Sequence, residues 1–218
     1  MTSFPGSPRL IKGGIVLIDA QTSAVVRMIA LQYNPDTLTR TLQPQAVGTE
    51  SSVDRSQALR LKGPPVETIK LEAEIDAADQ MEQGNTTVGQ YGILPLLTAL
   101  ELITYPASSQ LENNHRMSLQ GQLEIAPMQA PLTLFIWSQN RILPVRLTDF
   151  SITEEAFDPN LNPLRAKVNL GLRTLSVSDL GFDNRGGDLY MRYQKEKERL
   201  ASLNQGATFG TLGIRGIP

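Results

Sequence analysis

Two stretches of strict alternation constrain this chain more than any other feature. In Thr68–Asp76, Ile69, Leu71, Ala73 and Ile75 fall on one side, with Lys70, Glu72 and Glu74 on the other. In Leu164–Leu175, Leu164, Ala166, Val168, Leu170 and Leu172 alternate with Arg165, Lys167, Asn169, Gly171 and Arg173. Successive side chains of a strand point to opposite faces, so each segment reads as a half-buried strand with one wet, charged surface. Such a strand must bury its apolar face against something, which commits the chain to a sheet packed on a core.

The remaining segments fill in a mainly β fold. Leu10–Ile18 and Ala24–Tyr33, around the polar turn Asp19 to Ser23, read as a hairpin. Asn34-Pro35-Asp36 is a turn, and Thr37–Gln43 alternates weakly. Gln43 to Pro65 is polar and carries three prolines, so it is expected to be a long loop that orders on assembly. One helix is expected at about Leu94–Tyr105, opened by Pro95, stopped by Pro106 and apolar enough to lie buried on a sheet. Pro106 to Pro131 shows no firm pattern. Leu132–Trp137 and Ile142–Thr153 are strands joined at Gln139-Asn140-Arg141. In the second, Leu143, Val145 and Leu147 share one face but Phe150 and Ile152 the other, which calls for a bulge near Thr148-Asp149.

The end has a different character. Gly186-Gly187 reads as a break before a charged helix, Asp188–Asn204, with Leu189, Tyr193, Leu200 and Leu203 on a partial stripe. Gly206–Pro218 is glycine-rich and reads as an extended arm or a frayed end. The expected division is a β domain over 1–177 and a helical and extended appendage over 178–218. The stripe is expected to pack on a neighbouring subunit, with folding back onto its own sheet as the alternative.

The chemistry of a catalytic site is hard to find. With no cysteine and a single histidine, His115, thiolate catalysis and cysteine or two-histidine metal sites are excluded. There is no phosphate-binding glycine loop and no G-x-S-x-G elbow. Glu72/Glu74 and Glu154/Glu155 are carboxylate pairs, but the first alternates with Lys70 on a wet face, where charge serves solubility. Twenty basic against twenty-two acidic residues give no electrostatic reason for nucleic acid or an anionic membrane as partner. The N-terminal Met1–Arg9 has no apolar run, so no signal peptide is expected, and assembly in the cytoplasm follows as the expectation. The apolar stretch Ile93–Ile103 is too short to span a bilayer, so direct membrane insertion is not expected. The row Arg165, Lys167 and Arg173 puts three cations on one strand face. It is either a plain solubility device or a subunit interface or channel wall.

Four ordered segments resemble the tube-like proteins of contractile injection systems, which are related to phage tail tube and baseplate-hub subunits. They are residues 31–43 (LQYNPDTLTRTLQ), 69–79 (IKLEAEIDAAD), 92–106 (GILPLLTALELITYP) and 157–173 (FDPNLNPLRAKVNLGLR), within roughly residues 9–177. The resemblance implies a tail-tube-like antiparallel β-barrel or sandwich with one flanking helix. It further implies a homohexameric ring formed by joined sheet edges, acting as adaptor or tube initiator between spike or baseplate hub and inner tube. Partners would be further copies, the spike, inner-tube subunits and baseplate or sheath components. No cofactor and no reaction are implied. Nothing resembles the LysM-like module that many such adaptors carry. Expected interface residues are Arg165, Lys167, Arg173, Lys70, Glu72, Glu74, Arg55, Arg60, Leu189, Tyr193, Leu200 and Leu203. The alternatives are the main inner-tube subunit, or a carbohydrate-binding or hydrolytic β-sandwich using Trp137 and the glutamates.

Overall fold

The computed structural model describes residues 11–19, 21–46, 60–82, 84–121, 130–204 and 206–217. Its strands are β1 (Gly14–Ile18), β2 (Val25–Ala30), β3 (Leu38–Ala46), β4 (Leu61–Asp76), β5 (Leu132–Ser138), β6 (Arg141–Phe157) and β7 (Pro163–Thr174). Between β4 and β5 in the chain lie α1 (Ala78–Glu82), α2 (Thr86–Tyr91), α3 (Leu94–Glu101) and α4 (Ser108–Leu119); α5 (Val177–Leu180) and α6 (Arg185–Ser202) follow β7. The strands form one antiparallel sheet in the order β2-β1-β5-β6-β7-β4-β3. The chain is thus mainly β, as the alternation requires.

Strand β6 belongs to both halves of that sheet. Up to Val145 it pairs with β5, and from Val145 onward with β7. Between Leu147 and Asp149 its register slips by one residue, leaving Thr148 without an opposite number. The inward set changes there, as the sequence pattern demands. Gly171 stands across from the slip, where a Cβ would lie 2.8 Å from the Cβ of Asp149. A side chain has no room at that point. A bulge of this kind bends its strand, and the sheet curls with it. Ile15, Leu17, Ile29 and Phe135 from one half therefore share a single core with Ile69, Leu71, Val168 and Leu170 from the other, and Leu97 and Leu100 of α3 join them.

The first strand is apolar on both faces. Ile15 and Leu17 enter the main core, whereas Val16 and Ile18 form a second cluster with Leu134 and Leu189. Leu189 comes from α6, which runs against β6. This placement corrects the expectation of a separable appendage. Leu189, Tyr190 and Tyr193 are buried in their own chain, and Tyr193 counts among the main-core residues. The stripe folds back because Val16, Ile18 and Leu134 offer it apolar surface to cover. Residue 177 marks a change of element type, not a boundary between cores. Gly186 and Gly187, expected to break the chain, are instead buried in the first turn of α6. A Cβ on Gly187 would collide with the carbonyl of Gly181, so this close approach demands glycine.

Smaller corrections have local causes. The expected loop from Gln43 to Pro65 is shortened by β3, which continues to Ala46, and by β4, which begins at Leu61. Pro64 and Pro65 fit inside β4 because the register with β3 slips opposite them, so no ladder bond is lost. The rest of that loop lies outside the described residues. The buried helix ends at Glu101, four residues early, and α4 occupies a stretch that showed no pattern.

Because Leu189 closes the second cluster, Leu189→Ala should cost about 2–5 kcal/mol in urea unfolding. Truncation after Ser178 should lower the melting temperature steeply. An unchanged midpoint in both would show that α6 does not support the sheet.

Candidate functional site

The register of β4 and β7 assembles a charged surface on the face turned away from the main core. Asp76 lies opposite Arg165, Glu74 opposite Lys167, Lys70 opposite Gly171 and Thr68 opposite Arg173. The cation row is compensated inside the chain. Arg165 Nε donates to Asp76 Oδ2 at 2.8 Å, Lys167 Nζ stands 3.6 Å from Glu155 Oε1, and Arg173 Nη2 donates to Asp179 Oδ1 at 2.8 Å. The argument that three cations must seek an outside partner therefore loses its force: each already has an anion. Water screens pairs this exposed, so the face is balanced rather than strongly bonded. A cavity of about 370 Å³ opens beside it, lined by Tyr33, Glu74, Asp76, Glu155, Arg165 and Lys167.

Asp76 is the most constrained member. The backbone N–H of Ala78, and after it the Arg165 guanidinium, hold its carboxyl below the usual carboxylate range, and the same pair holds Arg165 above its ordinary value.

A second cluster was not read from the sequence. Arg40 of β3 and Glu67 of β4 both lie in the apolar phase of their strands, Arg40 with Leu38 and Leu42 and Glu67 with Ile69. Arg40 Nε donates to Glu67 Oε1 at 2.8 Å, and Arg40 Nη2 donates to Tyr193 Oη at the same distance. The Tyr193 hydroxyl stands 3.4 Å from Glu67 Oε1. One turn further along α6, Lys197 Nζ sits 4.4 Å from the centre of the Tyr193 ring. Glu67 is buried, and a buried carboxylate requires a bonded cation. Burial would pull the Arg40 guanidinium down, but Glu67 and Tyr193 outweigh it and leave Arg40 above its ordinary value. Burial, followed by the charge of Glu67, pushes the Tyr193 hydroxyl up; burial draws the Lys197 ammonium down. The cluster clasps α6 to strands β3 and β4. Two opposite charges in apolar phase on neighbouring strands were the available signal.

The remaining residues scatter. Lys70, Glu72 and Glu74 are exposed, as is Arg60 just before β4, and Arg55 lies outside the described residues. Leu189 and Tyr193 are buried at home and cannot pack on a neighbour without α6 leaving the sheet, whereas Leu200 and Leu203 remain exposed. His115 is exposed on α4. Trp137 stacks on Phe135 with ring centroids 5.9 Å apart and packs against the main core, so it is not a free sugar platform. Among the described residues, no three acidic or histidine side chains are grouped to hold a metal ion, and no helix is long and apolar enough to cross a membrane.

No family model matches the chain, and no curated protein does. Among the solved structures with a slight likeness to the chain are two gene transfer agent particles. One is the tail of an empty gene transfer agent particle, computed with helical refinement in C6 symmetry: 13% identity, 75% of this chain and 90% of that chain covered, TM-score 0.28. The other is the virion of a native gene transfer agent particle: 10% identity, 74% and 90% covered, TM-score 0.27. Scores of that size establish neither a shared fold nor a shared role.

Removing Arg40 while Glu67 stays would strand a buried carboxylate. Arg40→Met should cost about 2–3 kcal/mol, less than the 3–5 kcal/mol of a fully buried pair, because the Arg40 side chain is 27% exposed. The double change Arg40→Met/Glu67→Leu should recover most of that loss. A single variant as stable as wild type would mean that the clasp carries no load. Asp76 yields a pH test. Its folded pKa is depressed, so its contribution is complete above the unfolded value of about 4 and is lost as pH falls through the folded value. Asp76→Asn should flatten the stability profile in acid; a profile unchanged below pH ~4 would contradict the assignment.

Proposed function

We propose that this chain is a structural subunit of a contractile injection system: with further copies, six on the resemblance, it closes a ring linking the spike or baseplate hub to the inner tube. The observation that carries this reading is the pair of free edges. Strands β2 and β3 stand at the two ends of one sheet, and among the described residues each pairs on one side only. An unpaired edge is a row of open N–H and C=O groups, normally blunted by charge or cover. Here β2 turns Val25, Val26 and Met28 to solvent, Met28 at 70% exposure. For a monomer that edge is a liability. In a ring, β2 of one copy meets β3 of the next, every ladder is completed and no edge is left.

Within this reading the face of Lys70, Glu72, Glu74, Arg165, Lys167 and Arg173 lines the channel or meets a neighbouring layer. Its paired signs make it a hydrated wall without a strong field of either sign. Spike, inner-tube, baseplate and sheath components are the partners above and below the ring, and the injection particle, assembled in the cytoplasm, is its place. The reading assigns no reaction and no cofactor.

Native mass spectrometry and negative-stain imaging of the full-length protein test it. Wild type should give closed rings, and Val26→Lys/Met28→Lys should remain monomeric with the wild-type melting temperature. A wild type that is monomeric at every concentration, or an edge variant that still forms rings, would overturn the proposal.

A further inference from the structure

Residues 206–217 are exposed throughout, yet they do not form the extended arm that their composition suggests. The N–H of Ile214 donates to the carbonyl of Phe209, the N–H of Gly213 donates to that of Gly210, and Gly213 takes a φ of 71°. These two nested bonds around a left-handed glycine make a Schellman close, which brings the residue after the glycine alongside the one five places back. Ile214 is thereby set beside Phe209. The hydroxyls of Thr208 and Thr211, 3.1 Å apart, tie the base of the turn. The segment is a small apolar knob: Phe209 is 48% exposed, Leu212 65% and Ile217 80%.

The same chain leaves an apolar groove uncovered. Between β2 and α3 a cavity of about 330 Å³ is lined by Tyr91, Leu94, Pro95, Ala99 and Leu102. Tyr91, Leu94 and Leu102 stay exposed there. Arg27 on its wall already donates Nη1 to the carbonyl of Ala99 at 3.3 Å, so the one charge lining the groove is engaged.

We propose that the knob of one copy seats in the β2–α3 groove of a second copy. The inference rests on the ring reading and names the contact that would lock its joints. The groove flanks β2, the edge that the neighbour's β3 would join, so the seat is continuous with the proposed joint. Area makes the knob an auxiliary to the edge joint rather than a joint by itself. The apolar side chains of the knob can remove roughly 400–500 Å² from water, against roughly 800 Å² per partner in a stable pairwise interface. One such contact is too small to hold two copies together without the joined β2 and β3 edges. Repeated head to tail, each copy gives one knob and receives one, and unlike surfaces paired this way close into a ring when the rotation permits. The turn fixes Phe209 and Ile214 before they bind, which lowers the ordering cost of the contact.

Since the chain has no cysteine, introduced thiols report cleanly. Full-length Leu212→Cys, activated as a mixed disulfide, is mixed with full-length Leu102→Cys, and the products are separated by mass while rings are imaged in parallel. The proposal expects a disulfide between copies, and Phe209→Ala in the Leu212→Cys chain should cut its yield at least tenfold. A Leu212→Cys/Leu102→Cys chain that instead links within itself at high dilution would overturn it, because the knob would then serve its own groove. Rings without a link between copies would sink the knob contact and leave the ring standing. A link without rings would support the contact and defeat the ring. Neither rings nor link would overturn both.

Discussion

One extra residue in β6 makes the rest of the fold attainable. Thr148 has no partner in β7, and that slip turns the inward face over within a single strand. Without it, Leu143 and Val145 could not face the same core as Phe150 and Ile152, and the sheet could not curl around what it encloses. Gly171 is the counterpart: its missing side chain is the space into which Asp149 presses. The curl decides where everything else sits. It brings α3 onto the enclosed core and leaves the opposite face of β1 and β5 for Leu189 of α6.

The edges are not equivalent. Strand β3 is tied inward through Arg40, whose bonds to Glu67 and Tyr193 anchor it to the next strand and to α6 together. Strand β2 is held by β1 along its ladder, by Ile29 in the main core and by the Arg27 bond to α3. A joint between copies on this scheme brings the clasped β3 to the apolar edge of β2. Register matters at such a joint, since a slip of one residue would turn every side chain to the wrong face.

Much of the sheet was legible because its signal is local. The alternation of Ile69 to Ile75 and of Leu164 to Leu172 fixes strand and face without any knowledge of neighbours, and the phase change at Thr148 is visible in the spacing alone. The partnership of β1 with β5 was not legible, since Ile15 and Phe135 are far apart in the chain and many apolar strands could have paired. Helix α4 escaped notice because Ser108 to Leu119 is rich in Ser and Asn, weak helix formers, and buries no side chain that would impose a stripe. Tyr193 and Leu189 were read correctly as a stripe and given the wrong cover, because nothing in α6 says that β1 is apolar on its far side. The charged row failed differently. Its cations were plain, but the anions that meet them, Asp76, Glu155 and Asp179, come from three other elements that the fold brings together.

The double burial of β1 has a temporal side. Its ladder needs β5 and its outer face needs α6, both made much later than β1 itself. As the chain leaves the ribosome, Val16 and Ile18 stay wet until Leu189 has emerged, and the β1–β2 hairpin waits alone with both faces apolar. A hairpin with no third strand is marginal in water, and contacts so distant in sequence are slow to form. The decisive step of folding therefore waits on segments far downstream of β1. During that wait the β1–β2 hairpin is a natural client for any factor that shields short apolar strands.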